Sequence, residues 1–345
     1  MANVAWIGLG AMGFQMAGRL SRFPCVVYNR ATSIAKEHST KFGTVFAPSI
    51  QTLCKSSPSM IFTCLPTSKE VENVINEIMC HKELLQKDTL FVDCTSGEPA
   101  DTRKIGKILE SSGFSMVDAP ISGGPHGAKA GTLSMMVGGS RSDFDRLKSV
   151  ATAISANQVY CGPLSSGHAV KAINNIMNST HLMVAAEGLA ALTKMGIDPA
   201  AALRVINASS GRSLQTEQRL PKAVLSRKFD YNFKLGLMNK DINIANRIMD
   251  DYFPEALLMR TTQVLSNNAV KEMGYDADYT EMVRYVEKVA NVIIQSPLDT
   301  DSKSSTSAKD SVEQTVAAET SQQKSRSPSP PFLREKTSAE QQQTP

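Results

Sequence analysis

Lys171, Asn175 and Asn178 stand four and three residues apart in GHAVKAINNIMN, so one helical face would carry an ammonium and two carboxamides. Around them Val170, Ala172, Ile173, Ile176 and Met177 are apolar. A lysine in that setting either snorkels at a boundary or works as a proton-transferring group. Partial burial would lower its pKa toward the range useful for general acid–base chemistry. A second place for chemistry is APISGGPHG. There the hydroxyl of Ser122 and the backbone N–H groups of Gly123 and Gly124 can surround an anion, or form a plain tight turn.

The third place is GLGAMG near the N-terminus, with glycines at 8, 10 and 13. It follows the apolar run VAWI and precedes MAGRLSRF, the strand–turn–helix setting that a dinucleotide-binding turn requires. Gly8 would permit the tight turn, Gly10 would let a pyrophosphate approach, and Gly13 would allow close helix packing. Leu9, Ala11 and Met12 complete the turn as cofactor contacts. Some twenty residues on, where an acid would grip the ribose hydroxyls of NAD, the chain reads Asn29–Arg30. A carboxylate there would repel a 2′-phosphate, whereas an amide followed by a guanidinium accepts one, with Thr32 or Ser33 adding a hydroxyl. NADP(H) is therefore expected over NAD(H). The plain alternative is that Arg30 is a solvated loop residue.

These residues need elements to hold them. Up to about residue 160 apolar runs (VAWIGL, VVYN, MIFTCLP, LFVDC, SMVDAP, LSMMVGG) alternate with helical stretches such as EVENVINEIM and ADTRKIGKILESSG. That alternation predicts a parallel, doubly wound sheet of Rossmann type. After Gly167 the chain turns Ala-, Leu- and Met-rich, with helical stretches that end near Ile294. The expected organisation is a dinucleotide-binding domain over 1–161, an all-helical substrate and dimerisation domain over 162–294, and a disordered tail over 295–345. The last 50 residues hold 11 Ser and 6 Thr and few large apolar side chains, a composition that cannot offset its chain entropy. In that tail Ser327 and Ser329 precede prolines, as proline-directed kinases require.

Composition narrows the function. A net charge of +4 on 345 residues, with no basic block in the first 290, argues against nucleic acid as a partner. No stretch has the 18 or so continuous apolar residues of a membrane span. The six cysteines form no C-x-x-C pair and read as reduced, buried thiols, and the five histidines have no metal-ligand spacing. His168 reads as a cap or loop residue and His181 as a packing or interface residue. With the first strand beginning at Val4, a cytoplasmic location is expected.

Taken together, GLGAMG, CLPTSKEV, FVDCTS, DAPISGG with AGTLSMMVGG, GHAVKAINN, ASSGRS and LMNKDINIA resemble the β-hydroxyacid dehydrogenase family, and most closely its 3-hydroxyisobutyrate dehydrogenase-like members. The resemblance spans residues 4 to about 290. It implies that Lys171 is the catalytic lysine and Asn175 its substrate-orienting partner, and that Ser122, Gly123 and Gly124 hold the substrate carboxylate. It further implies that Lys240 closes over the nicotinamide end and that Leu65, Pro66, Thr95 and Ser96 touch the cofactor. Hydride transfer between nicotinamide and a small β-hydroxyacid or its semialdehyde follows, in a homodimer or homotetramer. Two departures stand out. Ser165 replaces a usual glycine, so the loop entering the catalytic helix is expected to be shaped differently. The absent acid near Asn29 turns the chain toward the NADPH-using glyoxylate and succinic semialdehyde reductases. The alternatives are a 3-hydroxyisobutyrate dehydrogenase of valine breakdown and a catalytically silent nucleotide-binding regulator.

Overall fold

A computed structural model describes residues 3–296. The tail expected over 295–345, with Ser327 and Ser329, lies outside the described residues from 297 onward.

Nine strands form one sheet: β1 (Val4–Ile7), β2 (Cys25–Tyr28), β3 (Val45–Phe46), β4 (Met60–Thr63), β5 (Leu90–Asp93), β6 (Ser115–Asp118), β7 (Ile121–Ser122), β8 (Leu133–Gly138) and β9 (Ser155–Gly162). Their order is β3-β2-β1-β4-β5-β6-β8-β7, with β9 also paired to β8. From β3 through β6 every pairing is parallel. The strands β1, β4 and β5 are buried along their whole length, which is why they read as unbroken apolar runs rather than alternating ones. Trp6 stacks on Phe62 across the β1–β4 pair, with ring centroids 5.4 Å apart.

The fully parallel sheet expected from the alternation holds only as far as β6. Strand β8 runs antiparallel to β6 and β7, and β9 returns parallel to β8. The strands β3 and β7 are two residues each, too short to leave a pattern. The sequence of β9, SANQVYCG, is half polar because much of it is exposed at the sheet edge.

The helices packed on the sheet are α1 (Gly13–Arg19), α2 (Thr32–Phe42), α3 (Ile50–Lys55), α4 (Ser68–Met79), α5 (Pro99–Ser111), α6 (Gly124–Ala130) and α7 (Arg141–Ala151). Beyond them α8 (Ser166–Lys194) runs 29 residues, about 43 Å at the standard rise, and carries the rest of the chain. Around it pack α9 (Pro199–Asn207), a π-helix (Gln215–Leu225), α10 (Leu235–Tyr252), α11 (Leu257–Met273) and α12 (Met282–Ala290). The π-helix contains Pro221. A proline inside a helical pattern removes one N–H, and the Thr216 carbonyl that this N–H would meet in a π turn accepts instead from Asn207 Nδ2 at 3.0 Å. The sheet half has two apolar clusters, one with Trp6, Phe62 and Val92 and one with Ile7, Ile61 and Phe91, and the helical half has its own with Ile176, Met183 and Ile242. The chain therefore has a Rossmann-type N-terminal part followed by an all-helical part.

The cysteines are unpaired. Burial pushes the thiols of Cys25 and Cys64 up to about 12. Contrary to the expectation of uniformly buried thiols, Cys80 is exposed at the C-terminal end of α4, and Cys64 and Cys161, the latter on the edge strand β9, are only half-buried.

Candidate active site

The carboxyl ends of β1, β4, β5 and β6 open on one side of the sheet, the side where doubly wound folds bind ligands. At the end of β1, Gly8 takes φ +98°, and its carbonyl accepts a 2.8 Å hydrogen bond from the Trp6 indole. A Cβ on Gly13 would stand 2.0 Å from the Gly8 oxygen, so the turn and α1 can approach only without a side chain there. Gly10 differs: a Cβ on it would meet nothing within 4 Å. Its backbone faces open space beside exposed Ala11 and half-buried Met12, as a phosphate cradle requires.

Asn29 is a strut of this turn. Its Oδ1 accepts from the N–H of Leu9 at 2.9 Å and its Nδ2 donates to the Ala31 carbonyl at 3.1 Å. Both ends of the amide are thus engaged within the protein, and Arg30 remains as the group free to meet a ribose phosphate. Arg30 is exposed and makes no ion pair among the described residues. Thr32 opens α2, whose first turn has neither an acid nor a side-chain cap. The unpaired N–H groups and the guanidinium therefore point to an anion, and nothing in that turn repels one.

At the ends of β4 and β5, Leu65 N–H donates to Thr95 Oγ1 at 3.1 Å, locking the two loops together. The carbonyls of Pro66 and Ser96 accept from Lys240 Nζ at 3.3 and 2.5 Å. Lys240 thereby reaches from α10 onto the sheet ends. Farther along α10, Arg247 forms a two-pronged ion pair with Glu98 at the start of α5. Two cationic side chains of the helical half thus hold the strand ends.

Lys171 lies on the first turns of α8 and is 9% exposed. Its ammonium makes no hydrogen bond and no ion pair within 4 Å among the described residues. Burial lowers its pKa, with Lys240 adding to that effect and Asp241 opposing it. Asn175 donates to Asp241 Oδ2 at 2.6 Å, and Lys240 Nζ lies 3.1 Å from Asp241 Oδ1. The buried carboxylate of Asp241 therefore ties the α8 pair Lys171–Asn175 to Lys240 on α10. Asp241 escaped the sequence reading, although it is the D of the NKD stretch. An acid beside a lysine looks like any surface charge pair until the fold buries it.

Ser122 ends β7, and the turn that follows runs through Gly123 at φ +132° and Gly124 at φ +64°. Tyr231 Oη would lie 3.6 Å from a Cβ on Gly124, so the helical half closes over this turn as well.

What aims α8 at the site is Asp118, at the end of β6. Its two oxygens accept from the N–H groups of Ser165 and His168, both at 2.7 Å. A buried carboxylate thus satisfies the open donors of the first turn and favours the positive end of the helix dipole. His168 is buried, and its Nδ1 lies 2.7 Å from Thr102 Oγ1. Because that hydroxyl spends its own proton on the Glu98 carbonyl, Nδ1 is the donor. His168 serves the helix start, in line with the cap or loop reading. His181 is exposed on α8 rather than packed within the chain. Ser165 adopts φ +84°, the left-handed region that glycine favours. A serine thus adopts here, at a cost, a backbone conformation that glycine takes freely. Among the described residues no three His, Cys, Asp or Glu side chains are placed to hold a metal ion, and no helix is long and apolar enough to cross a membrane.

Comparison with known proteins bears on the same two halves. Residues 3–162 match the NAD binding domain of 6-phosphogluconate dehydrogenase, and residues 165–286 match the NAD-binding domain of NADP-dependent 3-hydroxyisobutyrate dehydrogenase. The chain is 30% identical to 2-(hydroxymethyl)glutarate dehydrogenase of Eubacterium barkeri, over 85% of this chain and 97% of that protein. It is 28% identical to 2-hydroxy-3-oxopropionate reductase of Escherichia coli, over 84% of this chain and 98% of the relative. Among solved structures, Mycobacterium tuberculosis 3-hydroxyisobutyrate dehydrogenase with L-serine superposes with a TM-score of 0.75 at 24% identity, covering 82% of this chain and 98% of that one.

Proposed function

The chain belongs to the β-hydroxyacid dehydrogenase family of NAD(P)-binding oxidoreductases, and we propose that it interconverts a small β-hydroxyacid and its semialdehyde with Lys171 as general acid and base. The observation that carries this reading is the state of Lys171: a buried ammonium with no hydrogen-bond partner in the protein, held beside Asn175 and Asp241. The ammonium is spent on no protein acceptor and is therefore available to a substrate oxygen.

When bound, the nicotinamide supplies or accepts the hydride at the carbon bearing the β-oxygen. Gly8, Leu9, Gly10, Ala11, Met12 and Gly13 form the pyrophosphate turn, and Leu65, Pro66, Thr95, Ser96 and Lys240 flank the nicotinamide end. Ser122, Gly123 and Gly124 hold the substrate carboxylate, and Asn175 orients the oxygen toward Lys171. In reduction the Lys171 ammonium donates its proton to the developing alkoxide and stabilises its charge. In oxidation the neutral amine takes that proton back. Burial supports this role by lowering the lysine's pKa below its ordinary value, which eases release of the proton.

NADP(H) is favoured over NAD(H) by exposed, unpaired Arg30 at the head of an α2 turn without acids. Residues 1–161 are read as the dinucleotide-binding domain and 162–294 as the substrate and dimerisation domain of a cytoplasmic homodimer or homotetramer. The test is absorbance of the reduced nicotinamide with NADPH and with NADH. Glyoxylate, succinic semialdehyde, methylmalonate semialdehyde and tartronate semialdehyde serve as substrates, and 3-hydroxyisobutyrate is used in reverse. Turnover that prefers NADPH is expected. Tight NADPH binding without turnover of any of them would favour the silent nucleotide-binding regulator.

A further inference from the structure

The π-helix brings to the cleft a further cation, one that the reaction above does not use. Gln215 and Arg219, four residues apart, fall close to one face of a helix of this pitch. Gln215 donates to Asn178 on α8, two turns beyond Lys171. Arg219 donates through Nη2 to Tyr231 Oη at 2.7 Å, and its guanidinium carbon lies 3.7 Å from the centre of the Tyr231 ring. That same hydroxyl overlooks Gly124 of the Ser122–Gly124 turn. Arg219 therefore stands between the lysine-bearing face of α8 and the turn that holds an anion.

Its charge is not spent inside the protein. No carboxylate lies within 4 Å of Arg219 among the described residues. Nη1 donates to Gln218 Oε1 at 3.1 Å, the guanidinium lies beside the Tyr279 hydroxyl, and Nε is buried without a hydrogen-bond partner. Tyr231 accepts from Arg219 and keeps its own proton to donate. Of the neighbouring titratable groups, Tyr279 is held neutral by burial, which raises its pKa against the pull of Arg219. Asp278 is committed to the N–H groups of Asn232 and Thr280. A fork of donors pinned flat on a tyrosine ring is suited to a planar carboxylate.

We infer that Arg219 and Tyr231 bind a second carboxylate on the substrate, so that the site selects hydroxyacids whose side arm ends in a carboxylate over those whose arm is apolar. This rests on the hydroxyacid reading above and adds the substrate class to it. The first carboxylate belongs to the Ser122–Gly124 turn, and Arg219 reads the arm.

Three hydroxyacids that share the reacting end test it with the full chain: 3-hydroxyisobutyrate, 2-(hydroxymethyl)glutarate, and 2-(hydroxymethyl)-5-methylhexanoate, the neutral isostere of the second. The wild-type kcat/KM for the dicarboxylate is expected to exceed that for the isostere by about 10- to 100-fold, the range for a hydrogen-bonded charge. Arg219→Gln should bring the two within about threefold while leaving the rates on the isostere and on 3-hydroxyisobutyrate, and NADP+ affinity, little changed. Tyr231→Phe should lower the same preference by a smaller factor with the fold undisturbed. Equal loss on all three substrates would overturn the proposal, since Arg219 would then hold the first carboxylate or the fold. So would a wild type indifferent to the arm's charge. Calorimetric binding of the dicarboxylate to the NADP+-saturated chain separates the two readings. Binding that is lost in Arg219→Gln, with no turnover in either protein, upholds Arg219 and sinks the hydroxyacid reaction. Binding that ignores the substitution sinks Arg219.

Discussion

At the residue scale the chemistry turns on whether the Lys171 ammonium can lose and regain a proton near neutral pH. Burial lowers its pKa, and Asp241 limits the fall. Lys171→Ala is expected to reduce turnover by about 10²- to 10⁴-fold, the usual size of a lost general acid or base. NADPH affinity, read by fluorescence titration, should stay near wild type, and an equal loss of affinity and turnover would argue against the role. The wild-type oxidation rate should rise with pH as the amine is freed, and the reduction rate should fall over the same range. Stability has its own sign. Because the folded pKa lies below the ordinary 10.5, the unfolded chain binds more proton between the two values, and this lysine's contribution to stability grows as pH climbs through that interval. Arg30 sets the second residue-scale outcome. Arg30→Glu should lower the NADPH-over-NADH ratio of kcat/KM by about tenfold or more by placing a carboxylate against the 2′-phosphate. An unchanged ratio would return Arg30 to the solvated loop and leave the enzyme reading standing.

At the scale of elements, one helix carries the site and one aspartate holds that helix. Asp118 binds the first turn of α8 to the sheet, so Lys171 is aimed by β6 as much as by its own helix. Ser165 completes this junction in a left-handed conformation that costs a non-glycine residue roughly 1–2 kcal/mol. The Arg103 guanidinium donating to its Oγ at 3.0 Å offsets part of that. Ser165→Gly should therefore stay within about 1 kcal/mol of wild type in urea denaturation, the relieved strain balancing the lost hydrogen bond. Ser165→Ala keeps the strain, loses the bond, and should be the less stable of the two by about 1 kcal/mol. The opposite ranking would mean that the backbone there is relaxed. On the facing side Lys240 and the Arg247–Glu98 pair couple α10 to the strand ends.

At the scale of the whole molecule, an apolar surface on the helical part stands out. Val184, Met195, Val205, Leu257, Leu258 and Val289 are each more than half exposed on the helical part. Near them an apolar groove of about 280 Å³ opens between α8, α11 and α12, lined by Ala190, Leu265, Tyr285 and Val289. It begins at Glu187, sixteen residues along α8 from Lys171, which is about 24 Å at the helical rise. The groove is therefore remote from the chemistry, and its composition suits burial against another chain. Light scattering on the full protein is expected to give a mass of two or four chains. A stable monomer would remove the dimerisation role proposed for the helical part.

The sequence by itself determined the elements whose signals are local. The glycine spacing of 8, 10 and 13 marked a dinucleotide turn, unbroken apolar runs marked the buried parallel strands, and the i, i+4 pair Lys171–Asn175 marked one helical face. Each of these depends on neighbours within a turn or a pleat, so pattern alone suffices. Tertiary structure decided what depends on residues far apart in the chain. It buried Asp241 against Asn175, 66 residues away, and set Asp118 on the N–H of His168, 50 residues away. It tied Asn29 to the N–H of Leu9, 20 residues away, and made β9 from a half-polar stretch at an open edge. It also placed Pro221 inside a π-helix and left Arg219 without a carboxylate partner among the described residues. A charged residue has the same letter whether it is solvated or buried, and only the packing around it fixes its dielectric surroundings and its partners.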